Sequence, residues 1–124
     1  RKPALKVLDY ACSRCPQNCE RFVDILGIKT LFAAFMGKGV AGKKKNADVD
    51  EDEEHIISTI ASMFAHLKGA RLQRLLGKFT ENDFEKIDRL VELHRKYSDR
   101  VAACEKRIRQ QQLDDDDDFD PYVE

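Results

Sequence analysis

The chain has 124 residues, 42% of them apolar and 36% charged, with a net charge of −1. That is enough for one small domain with a core and a large exposed helix surface. It excludes a membrane span, since no apolar run approaches the ~20 residues needed. No secretory leader pattern is visible, and four cysteines are too few for a disulfide scaffold, which points to a reducing compartment.

The charge is unevenly spread. Residues 48–54 hold six acids and residues 114–124 hold seven, while all 22 Lys and Arg lie outside those segments. The helical part is therefore strongly basic. Such a partition suits acidic partners or nucleic acid, and equally a plain solvated surface. The chain begins at Arg1 without a Met, which reads as a fragment or a processed product.

Taken in order, residues 4–12 open with Pro3 at a tolerated first-turn position and place Leu5, Leu8 and Ala11 or Cys12 on one side of a short helix. In Cys12–Cys19, Pro16 breaks this helix and Asn18 is the expected cap of the next. That second helix, 18–26, should bury Phe22, Val23 and Leu26. Gly27 suits a left-handed C′ position. A third helix, 28–36, carries Ile28, Leu31, Phe32, Phe35 and Met36 and ends at Gly37 and Gly39. Two helices joined at one glycine must cross steeply, as at the junction between the second and third helices of an armadillo repeat.

Residues 37–52 are poor in apolar side chains and read as a loop without fixed structure. Lys43–Lys45 inside it is read as solvated, with a nuclear-import signal as the alternative. A helix follows over 53–68, with Ile56, Ile57, Ile60, Met63, Phe64 and Leu67 on its apolar face and Gly69 as its stop. A short helix, 70–78, turns Leu72, Leu75 and Leu76 inwards. The longest helix spans 82–112, about 45 Å at 1.5 Å per residue. Thr80 or Asn82 is its expected N-cap, and Glu81, Asp83 and Glu85 suit the positive end of its dipole. Its stripe runs Ile87, Leu90, His94, Tyr97, Val101, Cys104, Ile108 in steps of 3 and 4, which holds one face in line. Five aspartates follow Leu113, and fraying is expected near Gln110. Two helical triplets, 4–36 and 53–112, amount to an internal repeat of about 40 residues, the armadillo/HEAT signature. The second departs from it in the length of its last helix.

Few residues form a chemical constellation. Cys12, Cys15 and Cys19 have zinc-like spacing, but a fourth ligand would have to come from Cys104, His55, His66 or His94 on another helix. Semi-buried structural thiols are the plainer reading. His94 is expected to be packed or half-buried in the long-helix stripe. No nucleophilic triad, phosphate loop or aromatic-interleaved basic patch is present in the sequence. The reading is a protein that is not an enzyme, with no cofactor, resident metal or small-molecule substrate.

The stretch Leu75–Tyr97, LLGKFTENDFEKIDRLVELHRKY, resembles the corresponding segment of the β-catenin-like nuclear proteins, an armadillo-type family associated with the spliceosome. Phe22–Phe35 carries the resemblance as well; Gly37–Asp52 and the residues after Ala102 carry little of it. The resemblance implies an all-α solenoid of armadillo/HEAT-like repeats. The expected division is a first repeat over 1–36, a loop over 37–52, a second repeat with one unusually long helix over 53–112, and an acidic segment over 113–124. It also implies a nuclear scaffold of the pre-mRNA splicing machinery that binds basic nuclear-localisation-type segments of other spliceosomal proteins, including the cell-division-cycle-five-like splicing factor. Further helices should then follow the acidic segment. Acidic groups would meet those segments: Asp88 and Glu92, one turn apart on the long helix, are candidate contacts, and so are the acids at 48–54 and 114–118. The competing expectation is contact with RNA or DNA phosphates through Arg71, Arg74, Lys78, Arg89, Arg95, Lys96 and Arg100.

Overall fold

The computed structural model describes residues 2–37 and 46–118. Among these residues every regular element is a helix: α1 (Lys2–Cys12), α2 (Pro16–Asp24), α3 (Gly27–Phe35), α4 (Asn46–His66) and α5 (Gly69–Asp118). The chain divides into two units, Arg1–Lys86 and Ile87–Glu124. The run Lys43–Lys45 lies outside the described residues, as do residues 119–124.

The first unit holds the core. Val23 of α2, Ile28, Leu31, Phe32 and Phe35 of α3, Ile56, Ile60 and Met63 of α4, Leu67 just after it, and Leu75 and Phe79 of α5 are all buried. Phe32 meets Phe35 and Phe79 edge to face, with centroids 5.8 and 5.3 Å apart, and Phe64 tilts against Phe79 at 5.5 Å. Such aromatic contacts add to plain burial and fix the rings relative to one another.

The α1–α2 turn is closed from the α2 side. Cys15 precedes a proline, which disfavours helical backbone, and it sits extended at φ −132°, ψ 96° with Pro16 opening α2. Asn18 therefore lies inside α2 and does not cap it. Its Nδ2 instead donates to the Ala11 carbonyl at 2.7 Å, and Cys19 Sγ donates to the Cys12 carbonyl at 3.4 Å. These side chains satisfy carbonyls that the end of α1 leaves open.

At the α2–α3 corner the left-handed residue is Leu26, at φ 64°, and not the glycine that follows. Leu26 is correspondingly turned out of the core, 69% exposed. Gly27 is required for a different reason. A Cβ there would overlap the ring of Phe22, so its bare Cα is what allows the close approach. Gly37 ends α3 at φ +81°, with its N–H on the Ala34 carbonyl at 3.0 Å.

Two boundaries differ most from the sequence reading. Of the expected loop over 37–52, residues 46–52 belong to α4, and residues 38–45 lie outside the described residues. Asp48 stands in its first turn, where the dipole favours a negative charge, so an acid-rich stretch extends the helix instead of unwinding it. At the far end, α5 runs past Gln110 to Asp118, and Gln110 Nε2 donates to Asp114 Oδ1 at 3.2 Å across one turn.

Within α5, residues 81–84 interrupt the helix. Glu81 is extended, and Asn82, Asp83 and Phe84 are all left-handed, at φ 51°, 56° and 62°. Left-handed backbone costs about 1–2 kcal/mol per residue, which Asn and Asp tolerate better than Phe. Side chains brace the break. Asn82 Nδ2 donates to Glu85 Oε1 at 3.0 Å, and the buried Lys86 ammonium reaches Glu81 at 3.3 Å and Glu85 at 3.1 Å. Thr80 donates back to the Gly77 carbonyl at 3.0 Å, so its hydroxyl closes the first arm (69–80) and does not cap the second (85–118).

Candidate functional site

Asp88 and Glu92 lie one turn apart on the second arm of α5, and both are exposed. Their spacing puts the two carboxylates on one helix face. Glu92, with 69% of its side chain exposed, accepts from Arg89 Nη1 at 2.9 Å, so a cationic partner would have to displace that guanidinium. Ile87, Leu90 and Val91 beside them keep 37–43% of their surface exposed, whereas Leu93 is buried. The local surface is therefore mixed, two acids bordered by aliphatic side chains.

The stripe of this arm differs from its expected packed state. His94 is exposed, and so are Val101, Cys104 and Ile108. Tyr97 is half-buried, with the Lys96 ammonium 5.3 Å and the Arg100 guanidinium 5.5 Å from its ring centroid. The periodicity marks a face correctly, but a face is buried only where another element covers it.

The basic residues expected to act together are divided. Arg71 is committed to Asp24 through a two-pronged pair, Nε to Oδ1 at 2.9 Å and Nη2 to Oδ2 at 2.8 Å. The Arg71 hydrogen bond holds the Asp24 carboxyl below the usual carboxylate range. Arg74 and Lys78 line a groove at the α2–α3 corner. Lys78 also approaches Glu81 at 3.4 Å. Burial pushes the Glu81 carboxyl up, but the bonds from Lys86 and Lys78 outweigh that and hold it low. Arg89, Arg95, Lys96 and Arg100 belong to the other unit.

Sequence reasoning missed a buried polar network between α1 and α4. Asp9 is 6% exposed and His55 is 7% exposed. His55 Nδ1 lies 2.8 Å from Asp9 Oδ2, the Ser58 hydroxyl donates to Asp9 Oδ1 at 2.6 Å, and the Thr59 hydroxyl donates to the His55 carbonyl at 2.7 Å. The Tyr10 ring stands edge-on to the imidazole at 6.1 Å. Acyl-transfer chemistry needs the imidazole between serine and carboxylate. Here Asp9 is the shared acceptor, which makes the arrangement a clamp between two helices. A signal was available: Asp9 falls in the Leu5–Leu8–Cys12 stripe, and His55 falls beside Ile56 in the stripe of α4.

The cysteines resolve the same way. Cys12 and Cys19 are buried and bonded within the α1–α2 turn, while Cys104 is exposed on the other unit. Burial, reinforced by the neighbouring Cys19, pushes the Cys12 thiol up to about 12. A thiol held neutral to that degree is a poor nucleophile. Among the described residues no group of three or more His, Cys, Asp or Glu side chains is placed to hold a metal ion.

With the fold and this surface in view, the comparisons fall on one family. A model described as catenin-beta-like, Arm-motif containing nuclear, matches residues 1–123. The chain is 49% identical over 110 residues to beta-catenin-like protein 1 of Bos taurus, and 47% identical over 110 residues to that of Homo sapiens. Each match covers 87% of this chain and 20% of the relative. Beta-catenin-like protein 1 homolog of Schizosaccharomyces pombe is 38% identical over 98 residues, 76% of this chain and 16% of that protein. The chain thus spans about a fifth of the length of the curated mammalian relatives it matches.

Proposed function

This chain belongs to the catenin-beta-like family of Arm-motif containing nuclear proteins, and on that premise we propose that it serves as a non-catalytic scaffold of the pre-mRNA splicing machinery. It takes up basic, nuclear-localisation-type segments of splicing factors, the cell-division-cycle-five-like factor among them, and it does so in the nucleus. The observation that carries this reading is the exposed pair Asp88 and Glu92 beside exposed Ile87, Leu90 and Val91. Carboxylates supply steering and register for Lys and Arg, and the aliphatic neighbours supply area that a partner can dehydrate.

The test is a fluorescence anisotropy titration of a labelled basic peptide, and separately of a pre-mRNA oligonucleotide, at two salt concentrations. Reversing both charges, Asp88→Lys with Glu92→Lys, is expected to weaken peptide binding by about tenfold or more. Both positions are exposed, so the helix should survive. Tight RNA binding that falls steeply with salt, with no peptide binding, would overturn the scaffold reading in favour of phosphate contact through the basic side chains.

A further inference from the structure

The corner of α2 and α3 and the first arm of α5 enclose a groove of about 190 Å³, lined by Leu26, Ile28, Lys29, Arg74 and Lys78. All five belong to the first unit, away in sequence from the acidic pair. Lys29 and Arg74 are exposed; among the described residues no ion pair holds either, although the charge of Arg74 reaches the Asp24 carboxylate and helps to hold it low. Arg74 makes only a long bond, 3.5 Å, to the Val23 carbonyl. Lys78 meets one carboxylate, that of Glu81 at 3.4 Å. Three cations thus line one groove, of which only Lys78 is ion-paired, to Glu81; the nearby Asp24, which also feels Arg74, is bonded by Arg71. The rim is aliphatic: Leu26 stays 69% exposed because its left-handed backbone turns it out of the core.

We propose that this groove binds a phosphorylated peptide segment of a partner protein, with the phosphate on Lys29, Arg74 and Lys78 and a neighbouring aliphatic side chain against Leu26. Charge complementarity selects the anion, and a dianionic phosphate matches a surplus of about two positive charges better than one carboxylate does. The lining selects peptide over nucleic acid. Single-stranded RNA is held by aromatic faces that stack bases along a basic track. Here the groove is short, and its apolar members are Leu and Ile. The proposal goes beyond the scaffold reading and does not depend on it, since the ligand has the opposite charge and the residues are different.

The experiment compares a short labelled phosphoserine–leucine peptide, its unphosphorylated twin and a labelled oligouridylate by anisotropy on the 124-residue chain. The phosphopeptide is expected to bind at least about tenfold more tightly than its twin, and Lys29→Glu to remove about that factor. Lys29 is exposed and unpaired, so the variant should keep the circular dichroism of the parent. Independently of any variant, amide shifts induced by the phosphopeptide should centre on residues 26–29 and 74–78. Equal affinity for the two peptides, an unchanged affinity in folded Lys29→Glu, shifts centred elsewhere, or tighter binding of the oligouridylate would each overturn the proposal.

Discussion

The described residues of the first unit, up to Lys86, and those of the second, 87–118, use the same material, amphipathic helix with an apolar stripe at steps of 3 and 4, and they end up differently. In the first unit the stripe residues Ile56, Ile60, Met63 and Leu75 are buried, each under 6% exposed. In the second, Ile87, Leu90, Val101 and Ile108 lie on an equally regular stripe and stay 37–57% exposed. A helical period therefore reports which side of a helix is apolar and nothing about whether a neighbour exists. Among the described residues the first unit has five helical segments to close on one another and the second has one. This is the behaviour of stacked-repeat architectures, in which each unit is stable only through the units beside it.

The sharpest way to break that comparison is a pair of matched truncations. Met63→Ala, at a position with no exposed surface, is expected to cost about 2–5 kcal/mol, the usual range for an emptied core site. Val101→Ala removes a comparable side chain from the exposed stripe and is expected to change stability by less than about 0.5 kcal/mol. Urea unfolding of both variants measures the difference. A large loss for Val101→Ala would mean that the second stripe is covered in solution.

A smaller effect is expected from the polar part of the first unit. Asp9→Ala leaves the His55 Nδ1 and the Ser58 hydroxyl without their shared acceptor while both remain between α1 and α4. A buried polar group left unmatched costs about 1–3 kcal/mol, read again as a displaced urea midpoint. A near-neutral result would show that the helices separate enough there to admit water.

The smallest effect belongs to the surface pair of Asp24 and Arg71. Arg71 depresses the Asp24 carboxyl below its ordinary value of 3.8. For a depressed carboxylate the stabilisation is complete above the unfolded-state value and lost as pH falls through the folded-state one. The parent should thus be slightly more stable than Asp24→Asn at neutral pH, and the gap in melting temperature should close as pH drops below 3.8. A gap that persists in strong acid would assign the effect to shape and not to charge.

Much of the helix order was legible. The helices α1 to α3 and the break near residue 80 follow from Pro16, the glycines and the run of helix formers. What was not legible has physical reasons. Asp9 and His55 are 46 residues apart, and only tertiary packing joins them. Asn18 looks like a cap for its own helix, but a proline two residues earlier had already started that helix, which frees the amide to serve the preceding one. The start of α4 at Asn46 was hidden by acids that read as loop composition although they suit a helix start. At the candidate surface, Asp88 and Glu92 were placed on one face by spacing alone, but the Arg89 guanidinium that engages Glu92 was not foreseen. The groove at Leu26 depends on a left-handed leucine that no propensity favours.

The bend at residues 81–84 also bears on how the molecule is handled by proteases. Cleavage requires reachable backbone outside regular helix, and helices resist it. Phe84 combines a side chain 55% exposed with a position in the non-helical break of α5. A chymotrypsin-type enzyme, which cuts after aromatic residues, has a target there among the described residues. One nick would separate a fragment rich in core from one that carries the aspartate run, and the ladder of products would show at once where the chain is open.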